Sequence, residues 1–360
     1  MKQSLTPISR FRDFSKQYIP LIDESMEGFF KSKMRDAEIP EIRAMYALLS
    51  EYCLREGKRV RPLVLLASCF GYGSAWNRND IVRSASVLEM MHSFLLIQDD
   101  IIDRSPLRRG GKSLHLACGE CYGGRSHNES IGGDIALILG DVLFANALEI
   151  MADTGVSPRL KNRFMKLVAS ALEITAWGQT LDILHSASRA IDSPQETATR
   201  IAMMKTAYYT IYYPMLMGYA LAGKDSPKEK ERIRAFALPL GQAFQIRDDI
   251  LGVFGKEDAT GKSADSDIME GKITLLVSNA IESLRGKDLD LFVSLFTKKH
   301  KQKRDVAAIR KLIQRSGSLD SAKERHWEFV EQSRWRLADL AVSAEYHDIL
   351  HGLVDLVAVI

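Results

Sequence analysis

Residues 95–111 read LLIQDDIIDRSPLRRGG. The stretch closes an apolar run in which Ile81, Ala85, Leu88, Met91, His92 and Leu95 recur at threes and fours, which is helical spacing. Asp99 and Asp103 are four apart at the end of that helix. They therefore share one face, about 6 Å apart along the axis, with Asp100 turned about 100° away. Like charges at this spacing repel, and the C-terminal end of a helix dipole disfavours anions. A sequence that accepts both penalties points to a cation. Oxygen ligands so arranged suit Mg²⁺, which binds one or two carboxylates plus substrate phosphates. For an isolated D-D-x-x-D, a salt-bridged acidic helix end is the competing reading.

The cluster is not isolated. Residues 245–252 read QIRDDILG, so Asp248 and Asp249 again follow an apolar helix, 235–246. Two acidic helix ends facing each other in a bundle can build a metal-and-phosphate site. Cations accompany them. Residues 57–62, GKRVRP, put Lys58 and Arg61 three apart, on one face at an expected helix start. Arg108 and Arg109 follow the first cluster, Lys205 and Thr206 lie mid-chain, and Lys262 and Lys272 flank the second loop. Arg forks and Lys point charges are common phosphate holders. Together the pattern implies a diphosphate substrate bridged to the protein through Mg²⁺.

Working outward, the periodicity predicts helices over 41–55, 60–73, 80–103, 132–153, 159–186, 196–222, 228–252, 272–285, 288–299, 304–316 and 319–358. No proline follows Pro239, which favours helix over that long stretch. The fold class expected is all-α. Residues 105–128 and 254–270 read as Gly- and charge-rich loops, and neither resembles an interdomain linker. One helical domain over 1–360 is therefore expected. The 360 residues are 46% hydrophobic and 26% charged, which excludes a disordered chain.

Lys plus Arg number 49 and Asp plus Glu 46, a net +3 that gives no warrant for nucleic-acid binding. The most basic run, KKHKQKR at 298–304, reads as a solvated helix junction. The best membrane-span candidate, 135–152, is interrupted by Asp141, Asn146 and Glu149, so no span is expected. The first twenty residues lack an apolar signal region, which suggests a cytoplasmic protein. Four cysteines are too few for a disulfide scaffold. Cys118 and Cys121, with His115 and His127 nearby, have donor types for zinc. They lack a cleanly spaced partner pair, and two reduced thiols in a loop is the preferred reading.

The motifs in order resemble the trans-type polyprenyl diphosphate synthases, from about Leu48 to near the C-terminus. The matching pieces are GKRVRP at 57–62, DDIID at 99–103, RRG at 108–110, GD at 140–141 and GQTLD at 178–182. KT at 205–206, FQIRDD at 244–249, and GK at 261–262 and 271–272 complete the series. The resemblance implies an isoprenoid-synthase-type helical bundle around a deep central cavity, usually in a homodimer. It implies Mg²⁺, three ions with substrate bound, held by Asp99, Asp103 and Asp248, with Asp100 and Asp249 in support. Arg108, Lys205, Thr206, Gln245, Lys262 and Lys272 would hold the allylic diphosphate. Lys58, Arg61, His92 and Arg109 would hold isopentenyl diphosphate. Phe244, Gln245 and Gln179 could help hold the allylic cation.

The expected reaction is head-to-tail condensation of isopentenyl diphosphate with dimethylallyl, geranyl or farnesyl diphosphate. Chain length would be set below the first cluster by Met91, Phe94 and Leu95. At 1.5 Å per residue, Phe94 lies about 7.5 Å and Met91 about 12 Å deeper than Asp99. In the resembling family an aromatic at the position of Phe94 goes with C20 products. Geranylgeranyl diphosphate is thus the expected product, with farnesyl diphosphate (C15) or a catalytically silent subunit as alternatives. Two departures stand out. Gly252 occupies the fifth position of the second cluster, where many relatives carry Asp, and the chain ends in Leu356-Val-Ala-Val-Ile360 rather than a basic tail. A terpene cyclase would also use D-D-x-x-D, but it needs no isopentenyl subsite, and no N-D-x-x-S-x-x-x-E motif is present.

Overall fold

A computed structural model describes residues 6–123, 129–188, 194–255 and 265–360. The described residues are all-α apart from one hairpin. The helices are α1 Pro7–Asp36, α2 Pro40–Leu54, α3 Val60–Gly71, α4 Arg78–Asp103, α5 Leu114–Tyr122, α6 Glu129–Ala152, α7 Pro158–Ser188 and α8 Pro194–Ala202. A π-helix, Met203–Tyr212, leads into α9 Tyr213–Leu221. Then follow α10 Pro227–Phe254, α11 Ser266–Glu270, α12 Leu275–Ser283, α13 Gly286–Phe296, α14 Lys303–Arg315, α15 Ser318–Leu337 and α16 Ala344–Ala358. Strands β1 Leu107–Arg108 and β2 Gly111–Lys112 pair antiparallel, Arg108 opposite Gly111.

The chain divides into two compact units. One comprises residues 12–164 and 218–224. Its core is built on α3 and α4, where Leu63, Val64, Leu66, Ile81, Ala85, Leu88 and Met91 are buried. On α4 the spacing of three and four from Ile81 to Met91 aligns these residues on one face, while α3 is buried without interruption from Leu63 to Ala67. Helix α4 starts on Asn77, whose side chain accepts from the Asn79 N–H, an N-cap bond. It stops at Asp103 because Arg104 turns left-handed (φ 53°), and its N–H returns to the carbonyls of Asp100 and Ile101. The other unit comprises residues 1–11, 165–217 and 225–360. There α10 begins with Ser226 as N-cap and Pro227 in the first turn. The buried His326 of α15 bonds through Nδ1 to the Ala243 carbonyl of α10 at 3.0 Å.

Several expectations are corrected. Helix α1 was not expected, though Phe11, Phe14, Tyr18, Ile22, Met26 and Phe30 are all buried. The 105–128 stretch holds a hairpin and α5 rather than only loop, and its Cys118 is buried on that helix while Cys121 is exposed. His127 lies outside the described residues. The expected 196–222 helix is α8, the π-helix and α9 in succession. The expected 319–358 helix breaks between Leu337 and Ala344. There the Ala341 N–H donates instead to the buried Glu229 carboxylate at 2.8 Å.

Helix α6 is long and apolar enough to cross a membrane by length and composition, with mean hydropathy 1.9 over Ser130–Ala152. Leu139, Leu143, Ala147 and Ile150 of that helix are buried within its own unit. The basic run 298–304 forms a helix cap. Gln302 and Asp305 make a capping box on α14, and Lys298 pairs with Asp305 at 2.8 Å.

Candidate active site

In the first unit, the end of α4 and the hairpin bring the first cluster and the two arginines together. The two residues joining β1 and β2, Arg109 (φ 50°) and Gly110 (φ 74°), are both left-handed, as a tight type I′ hairpin requires. Arg55 clasps the hairpin, donating to the carbonyls of Arg108 at 3.0 Å and Lys112 at 2.8 Å. Arg108 is thereby aimed at the helix end. Its Nε donates to Asp100 Oδ1 at 2.8 Å, its Nη2 makes a second, shorter bond to the same oxygen, and Nη2 lies 3.5 Å from Asp99 Oδ2. Asp100 Oδ2 accepts from the Tyr52 hydroxyl at 2.9 Å. Asp100 is fully buried with both oxygens engaged, whereas Asp99 and Asp103 are partly exposed.

Lys58 and Arg61 do not share a helix face, contrary to expectation. Helix α3 begins at Val60, and Arg59 just before it is left-handed (φ 46°). This twist turns Arg59 inward, 2% exposed, while Lys58 stays exposed. Arg59 donates to Asp23 at 2.9 Å and to Glu89 at 2.7 Å. Arg109 donates to the same Glu89 oxygen at 2.8 Å. Burial first, then the charges of Arg61, Arg109, Arg108 and Arg59, hold His92 well below the usual imidazole range. Burial pushes the Glu89 carboxyl up, but Arg109 and Arg59 outweigh it, so its net shift is downward.

Deeper on α4, Met91 is buried and Phe94 and Leu95 are partly exposed. The Phe94 ring lies 5.6 Å from that of Phe144 on α6. Gly140 of α6 faces the same ring: a Cβ there would make ordinary contact, 3.4 Å from Phe94 Cδ2.

In the second unit, the π-helix carries Lys205 and Thr206. Wide-turned helix of this kind concentrates at functional sites. Two glycines let neighbours approach it. A Cβ on Gly178 of α7 would stand 2.7 Å from the Lys205 nitrogen, and one on Gly241 of α10 2.5 Å from Ala207 Cα. Lys205 Nζ donates to Asp182 Oδ2 at 3.0 Å. The Thr206 hydroxyl donates in a short bond to Gln245 Oε1, and Gln245 Nε2 donates to Asp249 Oδ1 at 2.6 Å. Asp248 is exposed and Asp249 buried. Burial, then the charge of Asp267, raises Asp249 well above the usual carboxylate range. Lys272 Nζ meets Glu270 at 2.6 Å and Asp267 at 3.9 Å. Lys262 lies outside the described residues. Phe244 and Gln179 are partly exposed.

Among the described residues, no three His, Cys, Asp or Glu side chains gather closely enough to hold an ion alone. Each unit offers its own carboxylates: Asp99 with Asp103 on α4 in one, and Asp248 and Asp249 on α10 in the other, where Asp249 lies within reach of the Asp267 charge. Hard oxygen pairs fit Mg²⁺, whose remaining positions go to water and substrate phosphate. The sequence reading missed Glu89, Asp182, Asp267, Tyr52 and Arg59. Of these, Arg59 and Asp182 stood inside quoted motifs, and Asp267 stood beside one.

Residues 43–313 match the polyprenyl synthetase family. The chain belongs to that family. It is 32% identical over 303 residues to the geranylfarnesyl diphosphate synthase of Aeropyrum pernix, covering 83% of this chain and 89% of that one. It is 30% identical over 289 residues to the geranylgeranyl diphosphate synthase of Saccharolobus solfataricus, covering 80% and 81%. Among solved structures, the geranylgeranyl pyrophosphate synthase of Corynebacterium glutamicum, complexed with isoprenyl diphosphate and magnesium, superposes with a TM-score of 0.90. That match is 26% identical and covers 96% of this chain and 99% of that one. As a polyprenyl synthetase, the chain is a trans-prenyltransferase, and its all-α fold is the fold of these relatives.

Proposed function

We propose that this polyprenyl synthetase condenses isopentenyl diphosphate with allylic diphosphates to give all-trans geranylgeranyl diphosphate. The observation that carries the reading is the gathering of Arg61, Arg108 and Arg109 around His92, on the helix that ends in Asp99 and Asp103. A single diphosphate needs fewer cations. Two diphosphates side by side require this density of charge, which disfavours a cyclase.

Arg108, Lys205, Thr206, Gln245, Lys262 and Lys272 hold the allylic diphosphate in this reading. Lys58, Arg61, His92 and Arg109 hold isopentenyl diphosphate. Mg²⁺, three ions with substrate bound, would be held by Asp99, Asp103 and Asp248 and would supply Lewis acidity to the departing diphosphate. Asp100 supports Asp99 by fixing Arg108. Asp249 stands beside Asp248 and is tied through Gln245 to Thr206. As the allylic C–O bond breaks, the cations already in place stabilise the charge on the leaving group without reorganising. The double bond of isopentenyl diphosphate attacks the allylic carbon, and a proton leaves to a diphosphate oxygen. No side-chain base is required. Phe94, flanked by Met91 and Leu95, stops the growing tail at C20.

The chain is read as one functional domain over 1–360, because the family's motifs run in order along its whole length. A cytoplasmic homodimer with no nucleic-acid partner completes the proposal. The test is incubation of purified protein with Mg²⁺, isopentenyl diphosphate and each of the dimethylallyl, geranyl and farnesyl primers. A C20 product is expected. A C15 end product would move the assignment to farnesyl diphosphate, and no turnover with any primer would replace it by the silent-subunit reading.

A further inference from the structure

The motif at 57–62 contains a cation that does not face substrate. Arg59 commits its Nε to Asp23, its Nη1 to Glu89 at 2.7 Å, and its Nη2 to the carbonyls of Cys53 and Arg55, both at 3.0 Å. Every nitrogen of its guanidinium is thus spent inside the protein. Arg109 is different. It gives Nη2 to Glu89 Oε1 and keeps a guanidinium whose side chain is 15% exposed. Glu89 is 1% exposed and sits one turn before His92 on α4. Gly57 passes under both guanidiniums: a Cβ there would stand 3.2 Å from Arg109 Cζ and 3.2 Å from Arg59 Nη1.

The arrangement is directional. Asp23, the two carbonyls and Arg59 fix Glu89 from behind. Glu89 in turn fixes Arg109, whose backbone is left-handed at φ 50°. An arginine on a hairpin turn has many rotamers to lose when it binds an anion. A buried carboxylate that already holds one N–H removes part of that loss before substrate arrives.

We propose that Glu89, braced by Arg59 and Asp23, is a positioning residue that sets the Arg109 guanidinium for the isopentenyl diphosphate head group. This rests on the reading of Arg109 as part of the isopentenyl subsite. Electrostatics alone predicts the opposite effect of removing Glu89. Neutralising it leaves the cluster more positive, which would tighten the binding of an anion. Positioning predicts weaker binding. The sign of the change therefore separates the two.

The experiment is steady-state kinetics on the full chain with Mg²⁺, varying isopentenyl and farnesyl diphosphate separately, for wild type, Glu89→Gln, Gly57→Ala and Arg109→Gln. Glu89→Gln is expected to raise the KM for isopentenyl diphosphate by about tenfold, the scale of one charge-assisted hydrogen bond. The farnesyl diphosphate KM and the kcat at saturating isopentenyl diphosphate should change by less than about threefold. Gly57→Ala alters no charge, yet its methyl crowds both guanidiniums. It should raise the same KM, and it carries the test if Glu89→Gln does not fold. An unchanged or lowered isopentenyl KM in Glu89→Gln, or in Gly57→Ala where the first cannot be purified, overturns the proposal while Arg109→Gln still raises that KM. If Arg109→Gln leaves the isopentenyl KM unchanged, the subsite reading itself fails and the proposal falls with it.

Discussion

Gly252 and Asp267 share one place: a Cβ on Gly252 would stand 2.3 Å from Asp267 Oδ2. The carboxylate that many relatives carry at the fifth position of the second motif is absent here, and another, from α11, fills the space. The obstructing atom is the end of a side chain, so Gly252→Ala should fold. We expect its Tm to move by less than about 4 °C, while the displaced Asp267 lowers turnover by about tenfold. Thermal melts and kcat on the same preparation test this. Full activity would deny Asp267 any part in the reaction.

Asp248 is exposed, so its removal costs little packing. Asp248→Ala is expected to lose at least about a hundredfold in turnover, roughly 2.7 kcal/mol of barrier. Its melting temperature should match wild type. A near-normal rate would refute its assignment as a metal ligand.

Phe94 touches the α6 face at Phe144 and Gly140. Phe94→Ala opens that contact along α4 and should shift product beyond C20, read by chromatography of the dephosphorylated alcohols. An unchanged product spectrum would remove Phe94 as the stop.

His92 is held neutral in the folded chain, its pKa below the ordinary value by burial and by neighbouring arginines. Between that depressed value and about 6.5, the unfolded chain binds a proton that the folded chain refuses. The His92 contribution to stability is therefore full above about pH 6.5 and falls as pH drops through that window, by up to about 1.4 kcal/mol per pH unit. Urea midpoints of the ligand-free protein from pH 7.5 to 5 should decline less steeply in His92→Gln. Parallel declines would assign the loss to other groups.

Two helical glycines should respond oppositely to alanine. Gly178 faces backbone atoms of Lys205 at 2.7 and 3.0 Å, which cannot rotate aside, so Gly178→Ala is expected to cost about 1–3 kcal/mol. Gly28 in α1 meets nothing within 4 Å, and Gly28→Ala should stabilise by about 0.5–1 kcal/mol. Denaturant melts of both variants check the pair. A stabilising Gly178→Ala would contradict the close approach of α7 to the π-helix.

The sequence made the helices of the core legible wherever apolar residues recur at threes and fours, as in Val306, Ile309 and Ile313, all buried. The stripe from Phe11 to Phe30 has the same three and four spacing, yet it went unread as a helix. What spacing could not reveal were interactions between distant residues. In the break after Leu337 the Ala341 N–H is taken up by Glu229, more than a hundred residues earlier. The π-helix is approached closely by α7 and α10 at two bare glycines, Gly178 and Gly241. Among site residues, Asp99, Asp100 and Arg108 lie within ten positions and announced their grouping. Glu89 did not, because a lone acid on an apolar helix gains its meaning only when Arg59 and Arg109 fold onto it. The inward turn of Arg59 was hidden too, since helical periodicity does not report a left-handed residue ahead of the first turn.

Among the described residues, every non-glycine position with a left-handed backbone is an arginine: Arg59, Arg104 and Arg109. Glycine or asparagine would sit there at lower conformational energy. A selection for heat resistance alone would thus tend to exchange these arginines first, and Arg59 and Arg109 lie on the proposed isopentenyl side. Engineering a sturdier enzyme from this sequence means exempting them, and accepting a trade-off between robustness and catalysis at these turns.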